Sequence, residues 1–165
     1  MEHATLKGID IRTLAEIKTV TKPWGWEKWI ADGKPNFPYA FKMIHIKAPH
    51  KTSLQFHEAK QESNFLLKGN ARLYYGDEPI DAERYKKGGY SKEELDEIIS
   101  KLHVREFKEG EVVHVKPCHI HRIEAVHEDI TLMETSTTEL DDVFRLQDDA
   151  LRVHGKIESE HQVHK

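Results

Sequence analysis

Gln55, His57, Glu62 and His121 are the residues whose types and spacing could do chemistry. Two imidazoles, a carboxylate and a carboxamide are donors that suit a borderline divalent cation such as Zn2+. The first three lie in T-S-L-Q-F-H-E-A-K-Q-E, from Thr52 to Glu62, and the fourth lies in G-E-V-V-H-V-K-P-C-H-I-H-R, from Gly110 to Arg122. Strand side chains alternate between faces, so Gln55 and His57 share one face if they sit on a strand. Glu62 returns to that face after a tight turn. His121 must arrive from a second strand, and N and O donors then surround one point.

The elements needed to bring these residues together are strands. Trp26 to Ile30, Tyr39 to Lys47, Asn64 to Lys68, Ala71 to Tyr75, Val104 to Phe107, Glu111 to Lys116, Ile120 to Val126 and Ile130 to Glu134 are rich in β-branched and aromatic residues between turn signals. Gly69-Asn70 is a hairpin turn signal, because both residues tolerate positive φ. One helix is predicted: Ser91-Lys92-Glu93-Glu94 is a capping box, and Leu95, Ile98, Ile99 and Leu102 follow helical spacing. Many short strands predict an all-β sandwich or barrel. The chain divides into an N-terminal extension, 1–20, a barrel, 21–150, with a helical insertion at about 76–103, and a polar tail, 151–165, that is a helix or a loose end. The inserted helix must cover the outside of a sheet or a partner subunit.

Composition narrows the function classes. The 165 residues suffice for one domain with a proper core. Charged residues make up 33% and the net charge is −4, with no basic block, which argues against nucleic acid as a partner. No apolar run approaches the roughly eighteen residues of a membrane helix, and Met1 to Asp10 lacks the apolar core of a secretory signal. The one cysteine, Cys118, excludes an internal disulfide, and the cytoplasm is the expected compartment. Of the 12 histidines, His154, His161 and His164 lie in the polar tail and are expected to have no chemical role.

The spacing Gln55-x-His57-x4-Glu62-x6-Gly69, followed by Gly110 to Pro117 and His121, resembles the two motifs of the cupin superfamily, with glutamine at the first histidine position and Cys118 where most cupins have glycine. A closer resemblance is to the isomerase domain of type II phosphomannose isomerases. It is carried by Lys22-Pro23-Trp24-Gly25, Ser53-Leu54-Gln55-Phe56-His57, His121-Arg122-Ile123-Glu124 and the closing stretch Asp141 to Arg152. The chain departs from those isomerases at Ala59, at Ser63-Asn64, in the helical insertion and in the missing terminal Tyr-Gly pair.

The resemblance implies a single-domain cupin, a double-stranded β-helix or jelly-roll barrel, with Gln55, His57, Glu62 and His121 holding one divalent ion. Zn2+ is the expected ion, with Fe2+, Mn2+ and Ni2+ as alternatives. It further implies a metal-dependent sugar-phosphate isomerase, or a related sugar isomerase or epimerase of polysaccharide or nucleotide-sugar metabolism. The partners implied are a sugar phosphate or nucleotide sugar and a second copy of the chain in a homodimer. Such an isomerase moves a proton between adjacent carbons, with a cation polarising the oxygens and a base within hydrogen-bond reach. Arg122, with its planar donor fork, is a candidate anion clamp, and Lys22 and Lys60 are further anion-binding candidates. His45, Lys42 and His119 are candidate bases, His119 because it shares strand parity with His121. His114, Trp24, Trp26 and Cys118 read as packing residues. Two alternatives stay open: a non-catalytic sugar-binding cupin, and a non-haem iron oxygenase built on the His57, Glu62 and His121 triad.

Overall fold

The computed structural model describes residues 8–34 and 37–162; residues 1–7 of the N-terminal extension and 163–165 of the tail, His164 among them, lie outside the described residues. Among the described residues eleven strands run in chain order: β1 (Thr19–Lys22), β2 (Gly25–Asp32), β3 (Ala40–Ile46), β4 (Leu54–Phe56), β5 (Glu62–Lys68), β6 (Ala71–Tyr75), β7 (His103–Phe107), β8 (Val112–Val115), β9 (His121–Glu124), β10 (Ile130–Ser136) and β11 (Phe144–Gln147). They form a six-stranded sheet, β1-β2-β3-β10-β5-β8, facing a five-stranded sheet, β11-β4-β9-β6-β7, and every pairing is antiparallel. The expected β-barrel is therefore what forms. Among the described residues no helix is long and apolar enough to cross a membrane.

Alternation decides what each strand sends inward. In β3, Lys42, Ile44 and Ile46 are buried, while Phe41, Met43 and His45 are half-exposed. In β5, Glu62, Asn64 and Leu66 are buried between exposed or half-exposed Ser63, Phe65 and Leu67. The inward residues sort by position along the barrel. At one end Ile44, Ile46, Leu66, Leu73, Phe107, Ile123, Ile130 and Leu132 form an apolar plug between the sheets. Full burial of each such side chain is worth about 1.5–3 kcal/mol. Toward the other end the inward positions turn polar and line a cavity.

Gly69-Asn70 is a tight connection between β5 and β6, but not a hairpin: β5 pairs with β10 and β8, and β6 with β7 and β9. The chain crosses there from one sheet to the other. Gly69 has φ of 86°, and a Cβ on it would lie 2.9 Å from the Asp129 carbonyl oxygen, so glycine is required. Gly25 is tighter still, since a Cβ would sit 1.9 Å from the His45 carbonyl oxygen.

The insertion holds two helices, α1 (Ala82–Lys86) and α2 (Lys92–Ser100), where sequence periodicity shows only the second. α1 is one turn capped by Asp81, too short to display a stripe. The capping box on α2 is present, with the Ser91 side chain accepting from Glu94 N. The apolar stripe Leu95, Ile98, Ile99 and Leu102 covers the outside of the small sheet, packing over Leu54, Phe56, Ile80 and Ile120. Strands β1 and β11 escape sequence reading because they are short and largely polar. β1 also lies partly inside the stretch read as an extension. Within the described residues the tail is neither an ordinary helix nor a loose end: it folds back over the open end of the barrel and includes a 3-10 turn, Glu158–His161.

Candidate metal centre

β4 and the residue after it send Gln55 and His57 inward, as parity requires, while Leu54 and Phe56 face the helices. β9 begins at His121, whose backbone is in register with Gln55 on one side and Tyr75 on the other. Glu62 opens β5. All three acid and imidazole side chains are buried, and one ligand atom from each of His57, Glu62 and His121 lies within 4.8 Å of the others. His57 Nε2 is 3.4 Å from Glu62 Oε2, and His121 Nε2 is 3.1 Å from Glu62 Oε1. Gln55 is half-buried on the same cavity wall, and its Oε1 accepts a 2.6 Å hydrogen bond from the Ser53 hydroxyl.

The imidazoles are set for a cation. His57 Nδ1 is bonded to the Asp142 carbonyl and His121 Nδ1 to the His119 carbonyl at 3.0 Å. A carbonyl can only accept, so each Nδ1 carries the hydrogen, and the neutral ring presents a lone pair at Nε2. Both Nε2 atoms are buried without a hydrogen-bond partner. Two lone pairs aimed at a carboxylate repel unless something positive lies between them. The donor set therefore fits a divalent ion. Burial opposes charge on His121, but the Glu62 carboxylate draws the imidazole above its usual range.

Glu62 itself is kept ionised. Burial pushes its carboxyl up, but Lys60, His121 and His57 together hold it well below the usual range. Lys60 Nζ lies 2.6 Å from Glu62 and 3.2 Å from Glu134, and Asn64 donates to Glu62 at 3.1 Å. From there opposite charges alternate along the inside of the large sheet. Lys42 Nζ is 3.9 Å from Glu134 and 3.6 Å from Glu27, and Lys22 Nζ is 4.0 Å from Glu27. Glu27 also accepts from Trp29 Nε1 at 2.7 Å. Burial would raise Glu27, yet Lys42, Lys22 and the indole bring it down to about 2.

One acidic residue positions the loop between β4 and β5. The Asp142 carboxylate accepts from the backbone N–H groups of Glu58, Ala59 and Lys60 at 2.9, 2.7 and 2.9 Å, while its carbonyl orients His57. The closing segment of the barrel thus fixes both the first histidine and Lys60.

Lys22, Lys42 and Lys60 all line the cavity. Arg122, His119 and His45 do not. Arg122 follows His121 on a strand and points to the opposite face, where Nε donates to Thr52 O at 2.9 Å and Nη2 to Gln147 O at 3.1 Å. It ties strands together and has no geometry for an anion clamp. His119 precedes the start of β9 in a turn where Cys118 has φ of 64°, so strand parity does not extend back to it; its Nδ1 is bonded to Pro117 O at 2.8 Å. His45 lies on the outer face of β3, stacked on Trp26 and 3.3 Å from Asp129. His114 is exposed on β8, bonded to Ser63, and not a barrel-interior residue.

Residues not singled out from the sequence complete the cavity, Glu27, Glu134, Trp29, Arg145 and Lys156, together with His161, which the sequence reading had set aside as a tail histidine without a role. Glu134 had one signal, a carboxylate at an inward parity position following apolar Ile130 and Leu132 on that face. The tail residues had none, since only the chain's return brings them here.

No protein-family model matches the sequence, and a search of curated proteins finds no match. Solved structures do match. Oxalate decarboxylase from Bacillus subtilis at pH 4.6 superposes with a TM-score of 0.62 at 14% identity, over 87% of this chain and 33% of that one. The formate complex of Lactobacillus farciminis oxalate decarboxylase gives 0.59 at 15% identity, over 87% and 38%. The capsular polysaccharide assembling protein CapF from Staphylococcus aureus gives 0.59 at 12% identity, over 80% and 33%. The chain spans about a third of the length of these proteins. The fold is the cupin fold, here as a single barrel.

Proposed function

We propose that this cupin is a metal-dependent sugar-phosphate isomerase, or a closely related sugar isomerase or epimerase. The observation that carries the reading is the placement of the His57, Glu62 and His121 cluster in a cavity that also presents Lys22, Lys42 and Lys60. A divalent cation, with Zn2+ the expected ion, would be held by those three residues with Gln55 as the fourth donor, and would supply Lewis acidity toward substrate oxygens. The chain's own groups do the rest. Asn64 and Lys60 hold the Glu62 carboxylate in place. Lys42 offers its ammonium to hydroxyl or phosphoryl oxygens. Glu134, inward on β10, is the carboxylate placed to carry a proton between neighbouring carbons; of the sequence-derived base candidates only Lys42 faces the same space.

The test is incubation of metal-loaded protein with mannose 6-phosphate and a panel of other hexose and heptose phosphates. No conversion anywhere in that panel ends the isomerase reading. Two imidazoles and one carboxylate also favour a second reading, oxygen chemistry at iron. Stoichiometric iron with oxygen consumption would select it, and zinc that persists through purification would exclude it. Sugar-phosphate binding without conversion would leave a non-catalytic binding protein.

A further inference from the structure

The cavity beside the metal cluster measures about 100 Å³, below the roughly 300–1,000 Å³ of ordinary ligand sites. A sugar phosphate needs more room. The wall that limits the space is the C-terminal segment 155–161, whose Gly155, Lys156, Ile157 and His161 line it. Beyond that wall lies an open surface cleft, and Lys22, Trp29, Arg152, Lys156, Ile157 and His161 border both.

Gly155 is pinned by its backbone, its N–H donating to Val143 O at 2.8 Å and its carbonyl accepting from Arg145 Nη1 at 3.0 Å, while the stretch beyond it is held ionically by one carboxylate. Glu160 Oε2 lies 2.7 Å from Lys22 Nζ, and Glu160 Oε1 lies 3.2 Å from Arg152 Nη1. All three side chains are about nine-tenths buried. Arg152 is fixed from behind by Asp148, at 2.8 Å to Nε and 2.9 Å to Nη2, so its remaining nitrogen faces Glu160. Lys22 is the last cation of the charge ladder that begins at Glu62. His161 packs edge-on against Trp29, with ring centroids 4.9 Å apart, and completes the closure.

We propose that Lys22 and Arg152 form a binding site for the phosphate group of the ligand, and that Glu160 is a tethered anion that occupies it until the ligand arrives. One oxygen on each cation is an arrangement a phosphate reproduces with a third oxygen to spare. Exchange of carboxylate for phosphate would release residues 156–161 beyond the pinned Gly155 and merge the small cavity with the cleft. The ligand's identity as a sugar phosphate rests on the reading above; the phosphate site itself does not.

The probe is inorganic phosphate, and the protein is the full-length, metal-loaded chain. By calorimetry, Glu160→Gln keeps the shape of the occupant, removes its charge, and should bind phosphate at least about tenfold more tightly than wild type. Lys22→Met added to Glu160→Gln should erase that gain. In unmodified protein, phosphate should speed tryptic cleavage after Lys156, read by mass spectrometry, which needs no variant to fold. Equal phosphate affinity in wild type and Glu160→Gln overturns the proposal. So does a gain that survives Lys22→Met, which would put the phosphate on the metal, and so does slower cleavage after Lys156. Tightened phosphate binding in a protein that converts no sugar phosphate would remove the isomerase reading and leave this site standing.

Discussion

Replacing Asp142 with alanine separates the support of the loop between β4 and β5 from the loop itself. The substitution deletes three charge-assisted acceptor contacts, those to the N–H groups of Glu58, Ala59 and Lys60. Each hydrogen bond to a charged group is worth roughly 1.5–3 kcal/mol when sheltered from water. Ala59 is exposed and Glu58 half-exposed, so water takes over part of the loss, and Lys60 N accounts for most of what remains. The expected cost is about 2 kcal/mol, a fall in Tm of about 4–8 °C for a chain of this size. The carbonyl that orients His57 belongs to the backbone and survives the change, but the segment carrying it loses its anchor. Metal affinity should therefore fall about 10–100-fold, the usual effect of removing a group that orients a ligand. Urea denaturation and zinc calorimetry on the same sample read both quantities. A destabilised variant with wild-type zinc affinity would refute the argument that the closing segment positions His57 and Lys60.

Glu134→Gln should lower sugar-phosphate turnover at least about 100-fold while the bound metal, measured by elemental analysis, stays at the wild-type ratio. Phe56, which has no solvent exposure and sits between Tyr85 and Phe144, should cost about 3–5 kcal/mol when replaced by alanine, read as a shift in the urea midpoint. Glu27 is lowered from 4.5 to about 2 in the folded protein, so its contribution is complete above about pH 4.5 and disappears as pH falls toward 2. Urea midpoints measured across that acid window should drop in wild type and drop less in Glu27→Gln, which should also be the less stable protein at neutral pH.

That Gln55, His57, Glu62 and His121 face one cavity was legible in the sequence because strand parity and turn spacing are local rules, and these residues obey them. The same rule shows why Arg122 cannot accompany His121: neighbours on a strand face apart. Parity failed for His119 because it was carried back past the strand's first residue into a turn at Cys118. The hairpin at Gly69-Asn70 failed for another reason. Turn chemistry specifies a sharp reversal but not which sheet the next strand joins, and β6 joins the other one. The closing wall was illegible altogether, since Lys22 and Glu160 are 138 positions apart and no periodicity links them.

The row of lysines and glutamates inside the large sheet has a cost of its own. Six ionic side chains have been taken out of water along one wall of the barrel, and much of their mutual attraction goes to offsetting the hydration they gave up. Oil-like substitutes of equal size at Lys42, Glu27 and Glu134 should yield a hardier molecule, harder to melt and chemically mute. The barrel retains a weak, wet-natured half beside a dry one, and any programme of heat-proofing by consensus packing will be drawn to that half first.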